Sequence, residues 1–208
     1  MRLDTALYRL RTDPLTFLRT NLLAIAGAPQ SMATRYFIGY HDMFVGGGTT
    51  NEGFKLSNDP MMARSTISGS DGKTSTSVNV HNVRMIPGTE PVDLSDIEAY
   101  TLGNGGPDLM VTGQLSGCVF VVRQNGATLT VAHIQPGGTR QSGPMLRQTI
   151  RLMGRFGALG RVTHVFGVGR EYLTRAHVVG VRTGGAWHLY AQQVASGRGP
   201  VTGSVQIV

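Results

Sequence analysis

The chain has 208 residues, 40 % of them hydrophobic, with 29 Gly, a single Cys and a net charge of +7 carried far more by Arg than by Lys. The length suits one domain with a sizeable core, no apolar run is long enough to span a membrane, and one cysteine excludes both an intramolecular disulfide and a multi-cysteine zinc site. Abundant Gly, Val and Thr favour strands and tight turns, while the basic charge steers toward an acidic partner, read as a protein because no Lys/Arg run appears and the aromatics are not interleaved with basic residues.

Residues 1–30 read as a helical N-terminal segment. Leu3, Ala6, Leu7 and Leu10 lie on one helical face, and Leu15, Leu18, Leu22, Leu23 and Ala26 continue the pattern over 15–26. Pro14 separates the two helices or opens the second, with Asp13 as its cap and Gly27 as its end. Arg35 to Val45 is aromatic and strand-like, Gly46-Gly47-Gly48 is a loop, and 49–77 is polar and turn-rich. Gly72-Lys73-Thr74 resembles the end of a phosphate-binding loop, but Ile67 stands where that loop needs Gly, so the motif is rejected. Thr76 to Met85 alternates as a strand with a slip near His81, whose surroundings offer no ligand set. Pro87 to Pro91 is a turn, and Asp93 to Glu98 reads as a capped helix start. Gly103 to Pro107 is a loop that would rim the cleft beside a strand at 109–112.

The chain centres on Thr112 to Gln135. Asn125-Gly126 between the apolar runs Val119–Val122 and Leu129–Ala132 is a strong hairpin signal, because a type I′ turn needs φ > 0 at both loop residues. With those two residues as the loop, Cys118 falls directly opposite His133, with Cβ atoms about 4.5–5.5 Å apart. Cys118, Phe120 and Val122 then share a face with Leu129, Val131 and His133, and the opposite face is apolar too, which implies burial on both sides. Gly117 beside the thiol would leave backbone N–H groups open as an oxyanion site, and Ser116 shapes the turn. After the turn at Pro136-Gly137-Gly138, Pro144 to Phe156 reads as the best helix, with Ser142 as cap, a stripe of Met145, Leu146, Thr149, Ile150 and Met153, and Arg147, Arg151 and Arg155 facing water. Strands follow at 161–168, 176–182, 186–194 and 201–208, with Thr183-Gly184-Gly185 closing a hairpin. His164, His177 and His188 are scattered among them and read as structural, although one of them could still lie near Cys118.

Leu115-Ser116-Gly117-Cys118, followed by strand, turn, strand and His133, resembles the cytotoxic necrotizing factor and Burkholderia lethal factor group of bacterial glutamine deamidase toxins. The Cys-to-His spacing of 15 is similar to that of the necrotizing factors, and Thr112, six residues before the Cys, is similar to the third functional residue of the lethal factor. The more distant chemotaxis deamidases share the Gly-x-Cys strand and the downstream His. The likeness covers Thr112 to His133, about a tenth of the chain. It implies a secreted or injected effector acting in a target-cell cytosol on a host protein, which for the two toxin types is a Rho-family GTPase or a translation-initiation helicase. Met1 to Pro14 lacks the unbroken apolar core of a secretory signal, so export would need an uncleaved signal or a dedicated injection machine.

These readings combine into an α+β chain: a single domain over 1–208 with a mostly antiparallel β-sandwich-like core and a few flanking helices, expected to be monomeric. Cys118 is the expected nucleophile and His133 its base. Thr112 is the third group by resemblance, with a backbone carbonyl as alternative and Ser116 as a weaker one. The expected reaction needs no cofactor or metal and turns glutamine into glutamate through a thioester. The same residues would serve a transglutaminase or another Cys-His hydrolase. The competing reading is a non-catalytic, basic, β-rich binding module whose Cys118 and His133 are core residues.

Overall fold

The computed structural model describes residues 1–26, 33–41, 52–63, 75–86, 97–137, 141–156 and 159–208. The helices are α1 (Leu3–Thr12), α2 (Pro14–Thr20), α3 (Pro60–Ala63) and α4 (Gly143–Met153). The strands are β1 (Asn21–Ala26), β2 (Arg35–Tyr40), β3 (Glu52–Ser57), β4 (Thr76–Asn79), β5 (His81–Val83), β6 (Met85–Ile86), β7 (Tyr100–Leu102), β8 (Leu109–Thr112), β9 (Val119–Asn125), β10 (Thr128–Ile134), β11 (Arg155–Phe156), β12 (Gly160–Arg161), β13 (His164–Gly167), β14 (Arg175–Thr183), β15 (Ala186–Val194) and β16 (Val201–Gln206). The fold is α+β. Among the described residues, no helix is long and apolar enough to cross a membrane.

Three larger sheets stack in layers. An outer sheet runs β1-β3-β2-β4, a central sheet β16-β15-β14-β8-β5, and a third sheet β13-β9-β10-β6 with β7 also on β10. Pairing is mostly antiparallel; β1 with β3, β5 with β8 and β6 with β10 are parallel. The central sheet is apolar on both faces, and alternation along its strands explains this. In β14, Ala176 and Val178 point into a core shared with Phe120, Val122, Leu129 and Val131 of the third sheet. Val179 and Val181 point the other way, against Leu23, Ile25, Phe54 and the apolar faces of α1 and α2. The far side of the third sheet, Val119, Val121, Ala132 and Ile134, is covered by Leu146 and Ile150 of α4. A strand buried on both faces carries apolar residues at every position, and Val119–Val122 is such a run.

Several expectations need correction. Residues 21–26 are a strand, not the second half of a helix: α2 stops at Thr20, and Asn21–Ala26 pairs in parallel with β3. Five of the six β1 residues are buried, and an apolar run of that kind fits a buried strand and a helix equally by period. Asp13 does cap α2, accepting from Thr16 N–H. The polar stretch 49–77 contains β3 and α3. The strand over Thr76 to Met85 is three pieces, because the chain leaves the outer sheet at Asn79, pairs with β8, then pairs with β10. α4 ends at Met153, not Phe156, because Gly154 adopts φ 65° and Arg155–Phe156 pairs with β12. Ser142 is its cap, but Met145 and Met153 are 55 % and 56 % exposed while Arg147 turns inward to pair with Glu171. The loop at Gly46 to Gly48, the Gly72-Lys73-Thr74 segment, the turn at Pro87 to Pro91 and most of the Asp93 to Glu98 helix start lie outside the described residues.

Candidate active site

The hairpin forms with a different loop. Asn125 pairs with Thr128, and Phe120, not Cys118, pairs with His133. The loop is Gly126-Ala127. Gly126 has φ 60°, and no described non-glycine residue has positive φ. Glycine at the first loop position with an ordinary residue after it fits type II′, whereas I′ on this loop would require Ala127 in the left-handed region as well. The register is thereby offset by two residues from the expected one. Side-chain period in a strand is also two, so every face assignment survives. Cys118 remains on the His133 face, one pair further out, where diagonal neighbours on a regular ladder lie about 7–8 Å apart.

The imidazole is held from behind. Thr112, at the end of β8, donates its hydroxyl to the carbonyl of Val83 at 2.7 Å. That oxygen lies 2.8 Å from Nδ1 of His133. A carbonyl can only accept, so the one hydroxyl proton goes to Val83, and His133 Nδ1–H must donate to Thr112. The proton is thus pinned on Nδ1, and Nε2 carries a free lone pair. Nε2 is buried and has no hydrogen-bond partner among the described residues. His133 is fully buried, and that burial pushes its imidazole down to about 3.

Cys118 opens onto a cleft of about 530 Å³ where the sheets end, which it lines with Met85, Ser116, Gln135, Lys55 and His177. It is 4 % exposed. Burial raises the thiol, and a backbone hydrogen bond at Ser116 acts in the opposite direction. Its sulfur lies 4.0 Å from that of Met85, the residue paired with His133 on β6. No hydrogen bond joins the thiol to Nε2. The resting pair is therefore a neutral thiol and a neutral imidazole.

The loop that presents the thiol is set by three contacts that sequence reasoning did not find. Leu115 exchanges backbone hydrogen bonds with Ala176 of β14. Tyr172, stacked on Phe166, donates its hydroxyl to the Cys118 carbonyl at 2.7 Å. Burial keeps that phenol protonated by raising it. Gly143 at the start of α4 lies so close that an added Cβ would sit 2.2 Å from the Gly117 oxygen. Gly117 itself has φ 91° and nothing within 4 Å of its would-be Cβ, so its need for glycine is conformational. Gly143→Ala is expected to displace this loop, costing about 1–3 kcal/mol; a lowered urea midpoint together with altered Cys118 alkylation would register it. No local pattern announces Tyr172, Met85 or the Val83 carbonyl, because each arrives from elsewhere in the chain.

The remaining expected residues divide. Thr112 and His133 are in contact. Cys118 lies on the His133 face of the third sheet and lines the cleft, whereas His133 is fully buried and is not among the residues lining that cleft. Gly117 and Ser116 form the turn. Ser116 is exposed and lines the cleft without bonding His133. His164 bonds Thr163, and His188 lies against Gln206. His81 lies between Tyr100 and Trp187, 2.9 Å from the Tyr100 hydroxyl. His177, read as structural, does reach the Cys118 cleft.

Two buried histidines, His133 and His177, are each pushed down to about 3 from 6.5, foremost by burial. Both stay neutral in the folded protein and would take up protons on unfolding below 6.5. Their contribution to stability is full above that value and drains away as pH falls toward about 3. Urea unfolding between pH 6 and 4 is expected to show stability falling by up to about 2.7 kcal/mol per pH unit from this pair. A flat profile would contradict burial of both rings.

The fold and the cleft thus define a β-rich α+β protein with a cleft-lining thiol and, on the same side of one sheet, an imidazole fixed in one tautomer. No protein-family model matches the chain, and no curated protein matches it.

Proposed function

We propose that this chain is a thiol-dependent protein-glutamine deamidase, a toxin or effector of the necrotizing factor and lethal factor kind. The observation that carries this reading is the tautomer. Thr112 holds the His133 proton on Nδ1, leaving Nε2 as an unsatisfied acceptor on the face that carries the sole thiol. A buried acceptor without a partner is costly as mere core, about 1–3 kcal/mol, and a free lone pair is what a general base needs once the thiol or a water comes within reach of it.

In this mechanism the glutamine carboxamide enters the cleft beside Cys118. The thiol proton passes to His133 Nε2 as sulfur attacks the carboxamide carbon. Because burial raises the thiol and lowers the imidazole, proton transfer accompanies attack rather than preceding it as a resting ion pair. Backbone N–H groups at Gly117 and Cys118 would receive the oxyanion. The imidazolium then protonates the departing nitrogen, ammonia leaves, and a thioester remains. Water, deprotonated by Nε2, attacks the thioester carbon; glutamate departs and the proton returns to sulfur. An amine in place of water would give transglutamination. The substrate is a host protein, and a Rho-family GTPase and a translation-initiation helicase are the two targets to try first.

The experiment is mass spectrometry of target-cell lysate treated with wild-type protein or Cys118→Ser, searching for glutamines that acquire the mass of glutamate. Wild type should convert discrete sites and Cys118→Ser none. Equal conversion by both proteins would end the proposal and leave the non-catalytic binding module.

A further inference from the structure

The outer sheet is fastened to the central one by two neighbouring side chains. His177 and Gln192 are directly paired across β14 and β15. Gln192 accepts from Leu23 N–H at 2.9 Å, and His177 Nδ1 accepts from Ile25 N–H at 3.3 Å, two residues further along β1. Gln192 also uses its amide protons, donating to the carbonyls of Leu18 and Asn21. His177 does not match this. Since Ile25 N–H is a donor, Nδ1 must be the lone-pair nitrogen, which places the ring proton on Nε2. That Nε2–H is buried without a partner among the described residues, on a side chain 2 % exposed that lines the Cys118 cleft.

The placement says what length of ligand would use it. Cys118 belongs to the core between the central and third sheets. His177 lies on the opposite face of β14 from Ala176 and Val178, toward β1. Gly113, Gln114 and Ser116 line the same cleft, and Leu115 is bridged to Ala176, the residue next to His177. Because the two residues lie on opposite faces of β14 and line one cleft, the ligand that would use both is a peptide lying along the cleft, longer than a glutamine side chain alone. Nε2–H is a neutral donor buried in the cleft wall, and its complement is a carbonyl oxygen.

Resting on the deamidase reading, we propose that His177 is a substrate-binding residue whose Nε2–H receives a main-chain carbonyl oxygen of the peptide flanking the target glutamine. This makes the site selective for glutamine within a polypeptide over the free amino acid.

The test uses two probes in which a diazomethyl ketone replaces the carboxamide of glutamine: the bare amino acid, and the same residue inside an acetylated, amidated Gly-X-Gly peptide. In each, the thiol proton passes to the diazo carbon, sulfur bonds to that carbon, and dinitrogen leaves. The readout is the ratio of Cys118 labelling rates, peptide over amino acid. Wild type should favour the peptide. His177→Phe should lower the ratio roughly three- to tenfold, the worth of one neutral hydrogen bond. His177→Gln keeps an acceptor for Ile25 and an N–H for the ligand, and should hold the ratio near wild type. A residue that only fastens β1 would change the urea midpoint and leave the ratio alone. If the Phe variant does not fold, the wild type still decides: the His177 Nε2 nitrogen resonance should move on labelling by the peptide and not by the amino acid. An unchanged ratio in His177→Phe, or an unmoved resonance, overturns the inference while Cys118 labelling leaves the deamidase reading standing. Failure of both probes to label Cys118 removes both.

Discussion

His133→Phe is expected to lower glutamine hydrolysis by roughly 10²–10⁴-fold, the usual range for loss of a positioned general base. The fold should survive. The ring is fully buried beside Thr112, and phenylalanine fills the site with a slightly larger ring, at about 1–3 kcal/mol of overpacking, and no polar atom to satisfy. Thr112 keeps its bond to Val83, since its hydroxyl proton already points there; it loses only a donor to its oxygen. The variant should also lose one of the two buried imidazoles that link stability to pH, so its unfolding profile between pH 6 and 4 should be flatter than wild type by up to about 1.4 kcal/mol per pH unit. Rate and pH slope are separate readouts. A variant with a flattened slope and undiminished hydrolysis would show that the ring is buried but chemically idle, and the assignment of the base would fall.

Thr112→Val removes one hydroxyl and should damage both stability and rate. Valine has almost the same shape, so little packing is lost. His133 Nδ1–H is left without an acceptor in a buried site, at about 1–3 kcal/mol, a large share of the 5–15 kcal/mol by which domains are usually stable. The neutral imidazole has a way to relieve this: its proton can move to Nε2. That relief fills the lone pair the chemistry requires, and the rate should fall on the order of 10²-fold or more. Thr112→Ser keeps the hydroxyl and sheds one methyl, worth about 0.8 kcal/mol; it should recover most of the rate. Urea midpoints and hydrolysis rates of the two variants form the comparison. Equal rates in the Val and Ser proteins would mean that the Nδ1 bond does not govern the tautomer.

The features legible from residues alone are those decided within a few positions of chain. The β14–β15 hairpin closes where expected, at Gly184-Gly185, with Thr183 a ladder partner of Ala186 instead of part of the turn. Ser142 caps α4, and Asp13 caps α2, because a side-chain acceptor a turn away from a free N–H is local geometry. The alternation along 119–134 assigned Cys118 and His133 to one face, and that assignment outlived an error in the loop, since an offset of two leaves parity intact.

What the sequence by itself determined is therefore the pieces and their faces: hairpins, caps, a lone thiol and an imidazole on one side of a strand pair. Tertiary structure decided which pieces became strand and who stands behind the imidazole. Asn21–Ala26 is a strand because β3 and the side chains of His177 and Gln192 supply its hydrogen-bond partners; its apolar pattern does not distinguish that from a helix. β3 hides in a polar stretch because only pairing with β1 and β2 orders it. Thr112 meets His133 and Tyr172 meets the Cys118 loop, while Val83 stands behind Thr112 and His177 lines the same cleft. Spacing along a chain records turns and periods, but a proton's position on a ring depends on which oxygen lies beside it, and here folding alone brings the two together.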